Sequence, residues 1–189
     1  MWVIKLDGDL LHDPASPDGL RYWLSMLATF GGGRVTVVAG AGAFSEPVRQ
    51  AQQHWGLNDL AVHNMTVLAM AQGAEMLHAL EPRLRLARHE NEIRRTLHSG
   101  ACAAWQPYGA LRDAPDLLTS AGFDTDYLAL WLAHRLNAER VVVVRTGAAQ
   151  HFNEDDPRVH QWRRNAAFTM DEVQIGDLDH VRQALVTGH

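Results

Sequence analysis

The stretch that decides the fold is FDTDYLALWLAHRLNAERVVVV, residues 123–144. Residues 124–137 place leucine and tryptophan side chains on one helical face, and a run of four valines, residues 141–144, follows almost at once. A continuous valine run of this length is typical of a strand that is covered on both faces. The stretch therefore predicts a helix that leads directly into a buried strand, which is the repeating unit of an α/β fold.

The rest of the sequence continues this alternation of strands and helices. Further strands are predicted at residues 2–6, 35–39, 83–87 and 101–105. Further helices are predicted at residues 18–29, 45–55, 63–80, 89–99 and 177–186, with Ser45 as a helix cap. A long ordered connection is expected at residues 106–123 and an acidic loop at residues 153–157. We expect one α/β domain over residues 1–189, a three-layer αβα sandwich with a mostly parallel sheet.

Composition and charge limit the classes of function. The chain is 47% hydrophobic and 21% charged, as globular domains are, and its net charge of -5 gives no general attraction for nucleic acid or anionic lipid. We therefore expect no nucleic-acid partner and no membrane partner. No apolar run approaches the roughly 20 residues of a membrane helix, and no signal-peptide pattern opens the chain, so a cytoplasmic location is expected. The 11 histidines form no zinc-binding motif, and the single cysteine, Cys102, lies in an apolar strand as a core residue would.

Two of the predicted strands end in glycine turns. Gly8 follows the first strand, and Gly40 and Gly42 follow the second. Backbone N–H groups in such turns favour phosphate or carboxylate, and parallel sheets bind ligands at this edge. Neither turn matches GxxxxGK[ST] or GxGxxG, so turns with a purely structural role remain an alternative.

Lys5 is the only lysine in the chain and stands at the end of the first predicted strand. A compact ammonium can follow a moving phosphoryl group, which favours a role in phosphate chemistry. The alternative is a residue left over in an arginine-rich composition. Asp7 and Asp9 follow Lys5, and two such carboxylates would repel a phosphate group unless a divalent cation lies between them.

Three blocks of the sequence resemble the amino acid kinase superfamily, which includes aspartokinases and uridylate kinases. VIKLDGDLL (3–11) is similar to VxKxGGSLL, VTVVAGAGAFSEPVR (35–49) to VVVxGGGxFAxxVR, and residues 123–144 to TSDxxAxxxAxxLxAxxLxxL. HNMTVLAMAQ (63–72) and WQP (105–107) look most like the aminomethylfuranmethanol phosphate kinase branch, which acts in methanofuran and methylofuran biosynthesis.

The resemblance implies phosphoryl transfer from MgATP to a small phosphorylated or carboxylated substrate. By similarity, Lys5 and Asp126 would be catalytic. Asp7 and Asp9 replace residues of the family's GGS loop, and their charges make them the candidate Mg²⁺ ligands. The remaining implied contacts are nucleotide or phosphate binding by Gly8, Asp9, Thr125 and Thr146, and substrate binding by Gly40, Ala41 and Gly42. Related proteins pair through helices, so the resemblance also implies a homo-oligomer, with a hetero-subunit as a further option.

The sequence departs from the family pattern in its chemistry. The second catalytic lysine is missing, and Arg145, Arg163 or Arg164 is left to replace it. TGAAQHF (146–152) stands where the nucleotide loop is expected, which indicates a shortened nucleotide half. The rival hypothesis is therefore a catalytically inactive homologue that binds an anion or assembles with a partner subunit. Helix capping by Asp124 or Thr125 is likewise an alternative explanation of the DTD sequence.

Overall fold

The computed structural model describes residues 1–11, 17–112, 125–146 and 167–188. These residues form one six-stranded sheet in the order β3-β4-β2-β1-β5-β6, and every pair of neighbouring strands is parallel. The strands are β1 (Trp2–Leu6), β2 (Val35–Ala39), β3 (Leu84–Ala87), β4 (Cys102–Trp105), β5 (Arg140–Arg145) and β6 (Thr169–Gln174).

Helices connect and cover these strands. Within the described ranges they are α1 (Pro17–Phe30), α2 (Glu46–Trp55), α3 (Asp59–Leu80), α4 (Glu90–His98), α5 (Tyr108–Leu111), α6 (Thr125–Leu136) and α7 (Leu178–Thr187). Short 3-10 helices, Gly8–Leu11 and Gly42–Ser45, follow β1 and β2, and a third, Ile175–Asp177, precedes α7. None of the described helices is long and apolar enough to span a bilayer.

Alternate strand residues belong to two hydrophobic cores on opposite faces of the sheet. Val3 packs into the core beneath α4 and α6, whereas Ile4 and Leu6 pack into the core beneath α1 and α7. The four valines of β5 divide in the same way, two to each core. The predicted αβα sandwich with a parallel sheet is therefore confirmed, and Lys5, two positions after Val3, belongs to the α6 face.

The predicted element boundaries need three corrections. The strand β6 was missed, because it is an edge strand in which only Val173 is buried, so it shows no apolar run. The helix α3 begins at Asp59 and not at residue 63, since the side chain of Asn58 accepts a hydrogen bond from the Ala61 N–H at 2.9 Å. Ser45 does not cap α2: its hydroxyl donates instead to the Gly42 carbonyl oxygen at 2.6 Å.

The strand order predicts a ligand crevice between β1 and β5. From β1 the chain continues to β2 on one side, whereas from β5 it continues to β6 on the other side. Connections that leave two neighbouring parallel strands in opposite directions open a crevice at their carboxyl ends, which is where α/β proteins bind ligands. The residues at these ends are Lys5 to Asp7 of the first strand and turn, and Arg145 of β5.

Candidate functional site

Lys5 is buried in the middle of the sheet. Its backbone pairs with Val38 of β2 and Val143 of β5, and only 2% of the residue is exposed. Its ammonium donates a hydrogen bond to Oδ1 of Asp126, in the first turn of α6. A buried ammonium needs a partner of this kind, because an unpaired charge is costly away from water. The only lysine of the chain is therefore a buried, paired charge and not a surface residue.

Asp126 joins Lys5 to a second cation. Its other carboxylate oxygen, Oδ2, lies 2.5 Å from Nη2 of Arg145, the last residue of β5. Burial raises the pKa of Asp126, but the charges and hydrogen bonds of the two cations outweigh it and hold that pKa below its ordinary value. Burial lowers the pKa of Arg145, but the charge and the hydrogen bond of Asp126 outweigh burial and hold that pKa above its ordinary value. Asp126 and Arg145 therefore both remain charged at neutral pH.

Two further carboxylates of the described residues belong to this charged cluster. Asp7 accepts a hydrogen bond from the Gly8 N–H at 2.7 Å, and its Oδ1 lies 3.6 Å from Nζ of Lys5. Its Oδ2 lies 3.7 Å from Nη1 of Arg145, and Oε1 of Glu172 lies 3.4 Å from Nη2 of the same arginine. Among the described residues, these two cations and three carboxylates sum to a formal charge of -1. Within that part of the chain, the cluster is thus rich in charge without being positive overall.

The glycine turns pack directly against each other. A Cβ on Gly8 would lie 2.1 Å from the Gly42 nitrogen, and a Cβ on Gly42 would lie 2.2 Å from the Gly8 carbonyl oxygen. Gly42 also has a positive φ of 50°, which an L side chain rarely adopts. Ala41, between Gly40 and Gly42 in the sequence, has a φ of -73° and is buried, so this position tolerates an alanine. Backbone packing alone explains why Gly8 and Gly42 are glycines.

The comparisons with known proteins identify the family. The model of the amino acid kinase family matches residues 1–149. This chain belongs to the amino acid kinase family. Family membership indicates phosphotransferase activity on a small metabolite. A comparison of the sequence with curated proteins gave no significant match.

Solved kinase structures share the fold. The uridylate kinase from Archaeoglobus fulgidus superposes with a TM-score of 0.68 at 12% identity, over 97% of this chain and 94% of that one. The UMP kinase from Ureaplasma parvum gives 0.67 at 11% identity, over 96% and 95% of the two chains. An isopentenyl phosphate kinase gives 0.63 at 16% identity, over 99% and 96%. The overall architecture is therefore that of amino acid kinases.

The structure brings together part of the predicted site. The predicted catalytic residues, Lys5 and Asp126, are in direct contact, and Gly8 and Asp7 adjoin them. The predicted nucleotide residues Thr125 and Thr146 stand next in sequence to Asp126 and Arg145. Their roles, and those of the glycine turns in ligand binding, stay predictions.

The predicted metal ligands differ in their surroundings. Asp7 belongs to the charged cluster, whereas Asp9 is exposed on the 3-10 helix that follows β1. Within the part of the chain that the structure describes, no group of three or more His, Cys, Asp or Glu side chains is arranged to hold a metal ion. Mg²⁺ binding by Asp7 and Asp9 stays a prediction in which further oxygen ligands must come from elsewhere.

Two cluster members could not be assigned from the sequence. Arg145 was one of three candidates for the missing lysine, and the other two, Arg163 and Arg164, lie outside the described residues, as do Asp124 and residues 147–157. Glu172 was missed together with its strand. Its alternation with the buried Val173 in TMDEVQ is the signal that could have revealed it.

A cavity lies on the same face of the sheet, near the end of β4. Its volume is about 270 Å³, and it is lined by residues of α4, α5 and α6 together with Trp105. The Trp105 and Trp131 rings stack with centroids 6.1 Å apart, and the Arg135 guanidinium lies over Trp131 and pairs with Glu90 at 2.7 Å. Ala104, the residue before Trp105, pairs with Val37 of β2, and Val38, the next residue of β2, pairs with Lys5. The cavity wall at Trp105 and the lysine are therefore two strands apart, or about 10 Å.

Proposed function

We propose that this protein transfers a phosphoryl group from MgATP to a small phosphorylated metabolite. The observation that carries the proposal is the arrangement of Lys5, Asp126 and Arg145 at the carboxyl ends of β1 and β5. One buried carboxylate holds two cations at the edge of the sheet where α/β proteins bind ligands. Phosphoryl transfer depends mainly on positioned positive charge, which this arrangement supplies.

The residues of the chain have distinct roles in this proposal. The Lys5 ammonium stabilises the charge that develops on the oxygens of the transferred group. The Arg145 guanidinium is the second cation and takes the place of the lysine that the family pattern leads one to expect. Asp126 orients both, so the charges are in place before the reaction and no reorganisation is needed. The substrate phosphate then lies near the contact between the two glycine turns, Gly8 and Gly40 to Gly42.

The carboxylates fit a magnesium ion that arrives with the nucleotide. Asp7 is partly exposed, with 25% of its side chain accessible, and it offers the oxygen ligands that Mg²⁺ prefers. One or two carboxylates are sufficient, because Mg²⁺ takes its other ligands from phosphates and water. When bound, Mg²⁺ neutralises charge on the phosphates. Asp7, with Asp9 nearby in sequence, would hold it.

The choice of acceptor rests on the motifs and on the cavity. Residues 63–72 and 105–107 resemble the branch that acts on aminomethylfuranmethanol phosphate, so the proposed pathway is one-carbon cofactor synthesis of the methanofuran type in the cytoplasm. The cavity beside Trp105 has a volume of about 270 Å³, just below the range of about 300–1,000 Å³ for ligand pockets, so we expect it to hold only part of a small metabolite. We expect the active form to be a homo-oligomer, by analogy with the family.

A second candidate is a family member that binds an anion, or a partner subunit, without turnover. The formal charge of -1 on the described members of the cluster favours the partner-binding form of this candidate, because neither a triphosphate nor another free anion gains much from a site that is not positive overall. The two candidates differ in one measurable property, which is binding of nucleotide that depends on Mg²⁺.

Calorimetric titration with ATP, with and without Mg²⁺, tests the proposal on the wild type and on Lys5→Met. A matched control is Thr36→Val, an isosteric change in the neighbouring strand, because Thr36 is fully buried and its hydroxyl has no hydrogen-bond partner among the described residues. The proposal expects binding that requires Mg²⁺, weakens at least tenfold in Lys5→Met and is unchanged in Thr36→Val. Absence of nucleotide binding by the folded wild type would overturn it in favour of the second candidate.

A further inference from the structure

The Asp7 carboxylate lies among the donors that an incoming oxyanion would use. Its Oδ1 accepts the Gly8 N–H at 2.7 Å and is 3.6 Å from Nζ of Lys5, and its Oδ2 is 3.7 Å from Nη1 of Arg145. A backbone N–H in a glycine turn, flanked by two cations, is a donor set that proteins use for phosphate groups. The chain therefore supplies its own anion to this set.

We propose that Asp7 is a resident occupant of a phosphate subsite and excludes free phosphate from it. The inference rests on the proposed function, in which this edge of the sheet binds phosphoryl groups. A phosphate that reaches Gly8, Lys5 and Arg145 must first displace a carboxylate that is covalently tethered beside them. A tethered group competes at a high effective concentration, so a free anion binds weakly.

The charge balance of the cluster leads to the same conclusion. Among the residues that the structure describes, two cations face three carboxylates when Asp7 is ionised, and two cations face two carboxylates without its charge. Asp126 already takes one hydrogen bond from each cation, so Asp7 is the member that can leave without breaking that pairing. Its partial exposure gives the side chain room to turn away from Lys5.

The consequence is selectivity for a phosphate that carries a divalent cation. The cation can take the Asp7 carboxylate as a ligand, which removes the competing charge from the subsite while the phosphate enters it. A free phosphate has no such means of displacing Asp7. Asp7 is therefore a specificity-determining residue, and its charge suppresses occupation of the site by metal-free anions.

The test is titration with inorganic phosphate in the absence of metal and nucleotide, followed by calorimetry or ³¹P NMR. The variants are Asp7→Asn, which removes the charge and keeps the shape, and Asp7→Ala, which also empties the position. Asp171→Asn is the control, since it makes the same change of charge on β6, one residue from Glu172. We expect both Asp7 variants to bind phosphate at least tenfold more tightly than the wild type, and the control to stay within twofold.

Equal phosphate affinity in the wild type and Asp7→Asn would overturn the inference, as would an equal gain in Asp171→Asn. If the Asp7 variants do not fold, the wild type decides: Mg²⁺ should strengthen phosphate binding at least tenfold, and no change would overturn the inference. A gain in phosphate affinity without any binding of ATP would leave this inference standing and remove the proposed kinase function. Binding of MgATP without the gain would do the reverse.

Discussion

Lys5 and Asp126 are 121 positions apart in the sequence and form a buried ion pair at the carboxyl edge of the sheet. The pair exists only when α6 is docked on the face of the sheet that carries Lys5, so the charged site and the packing of α6 depend on each other. Arg145 ties the same carboxylate to β5. Formation of the site is therefore part of the folding of this half of the domain.

Replacing Asp126 should destabilise the protein strongly. The variant Asp126→Asn leaves two buried cations without their shared counter-charge, and loss of one partner of a buried ion pair costs about 3–5 kcal/mol. Urea unfolding followed by circular dichroism measures this change. The control is Asp179→Asn, because Asp179 is 81% exposed and pairs with Arg182 on the surface, where such pairs are worth about 0–1 kcal/mol. A similar loss in the free energy of unfolding for both variants would show that the buried pair adds no more stability than the surface pair.

Acid should weaken the fold through the same carboxylate. The pKa of Asp126 in the folded protein is held below its ordinary value by Lys5 and Arg145, although burial opposes them. A depressed folded pKa means that the stabilisation is fully present above the unfolded value of about 3.9 and is lost as the pH falls from there through the folded pKa. In a series of urea unfolding curves from pH 6 to pH 2.5, the midpoint concentration should decrease once the pH is below this unfolded pKa.

The comparison variant for this acid effect is Asp126→Asn, which lacks the titrating group. Its urea midpoint should start lower at pH 6 and change less as the pH falls, so the two curves should converge. Parallel curves for the wild type and Asp126→Asn would mean that other carboxylates cause the loss of stability in acid.

How much of the fold the sequence predicts depends on how strongly each element is buried. The valine run of β5 and the apolar face of α6 are local sequence patterns that each specify an element. The predicted ends of both elements therefore lie within one or two residues of the observed ends. The strand β6 alternates exposed and partly buried positions at the sheet edge, and its stability comes from pairing with β5 rather than from its own residue types. That pairing is a long-range property, so the weak alternation of TMDEVQ can suggest a strand but does not identify β5 as its partner.

The candidate site shows the same limit. Lys5 could be singled out because no other lysine exists and because it ends a strand before a glycine turn. Which arginine accompanies it was undetermined, since the position of Arg145 beside Lys5 depends on the order of the strands. The hydrogen bond from the Gly8 N–H to the Asp7 carboxylate depends on the orientation of that side chain, which the sequence does not predict.

The contact between the glycine turns should not tolerate a side chain. In Gly8→Ala the new Cβ would lie 2.1 Å from the Gly42 nitrogen, a backbone atom, so the two turns must separate. We expect a loss of stability of about 3 kcal/mol or more, as for overpacking of a tight core. Gly176→Ala is the control, because nothing lies within 4 Å of its Cβ position, and its effect should be within about 0.5 kcal/mol. A tolerated Gly8→Ala would mean that the turns are not in contact in solution.

The thiol of Cys102 should be inert while the protein is folded. The residue is 1% exposed, and its Sγ donates to the Leu27 carbonyl oxygen at 3.1 Å. Burial raises the pKa of Cys102 to about 11, although the charge of Arg83 acts in the opposite direction. An ordinary thiol has a pKa of about 8.5, so Cys102 forms far less of the reactive thiolate at pH 8. Labelling with a chromogenic disulfide reagent should be at least a hundredfold slower than in denaturant. Equal rates in the native and denatured protein would show that β4 is open to solvent and would contradict the buried strand.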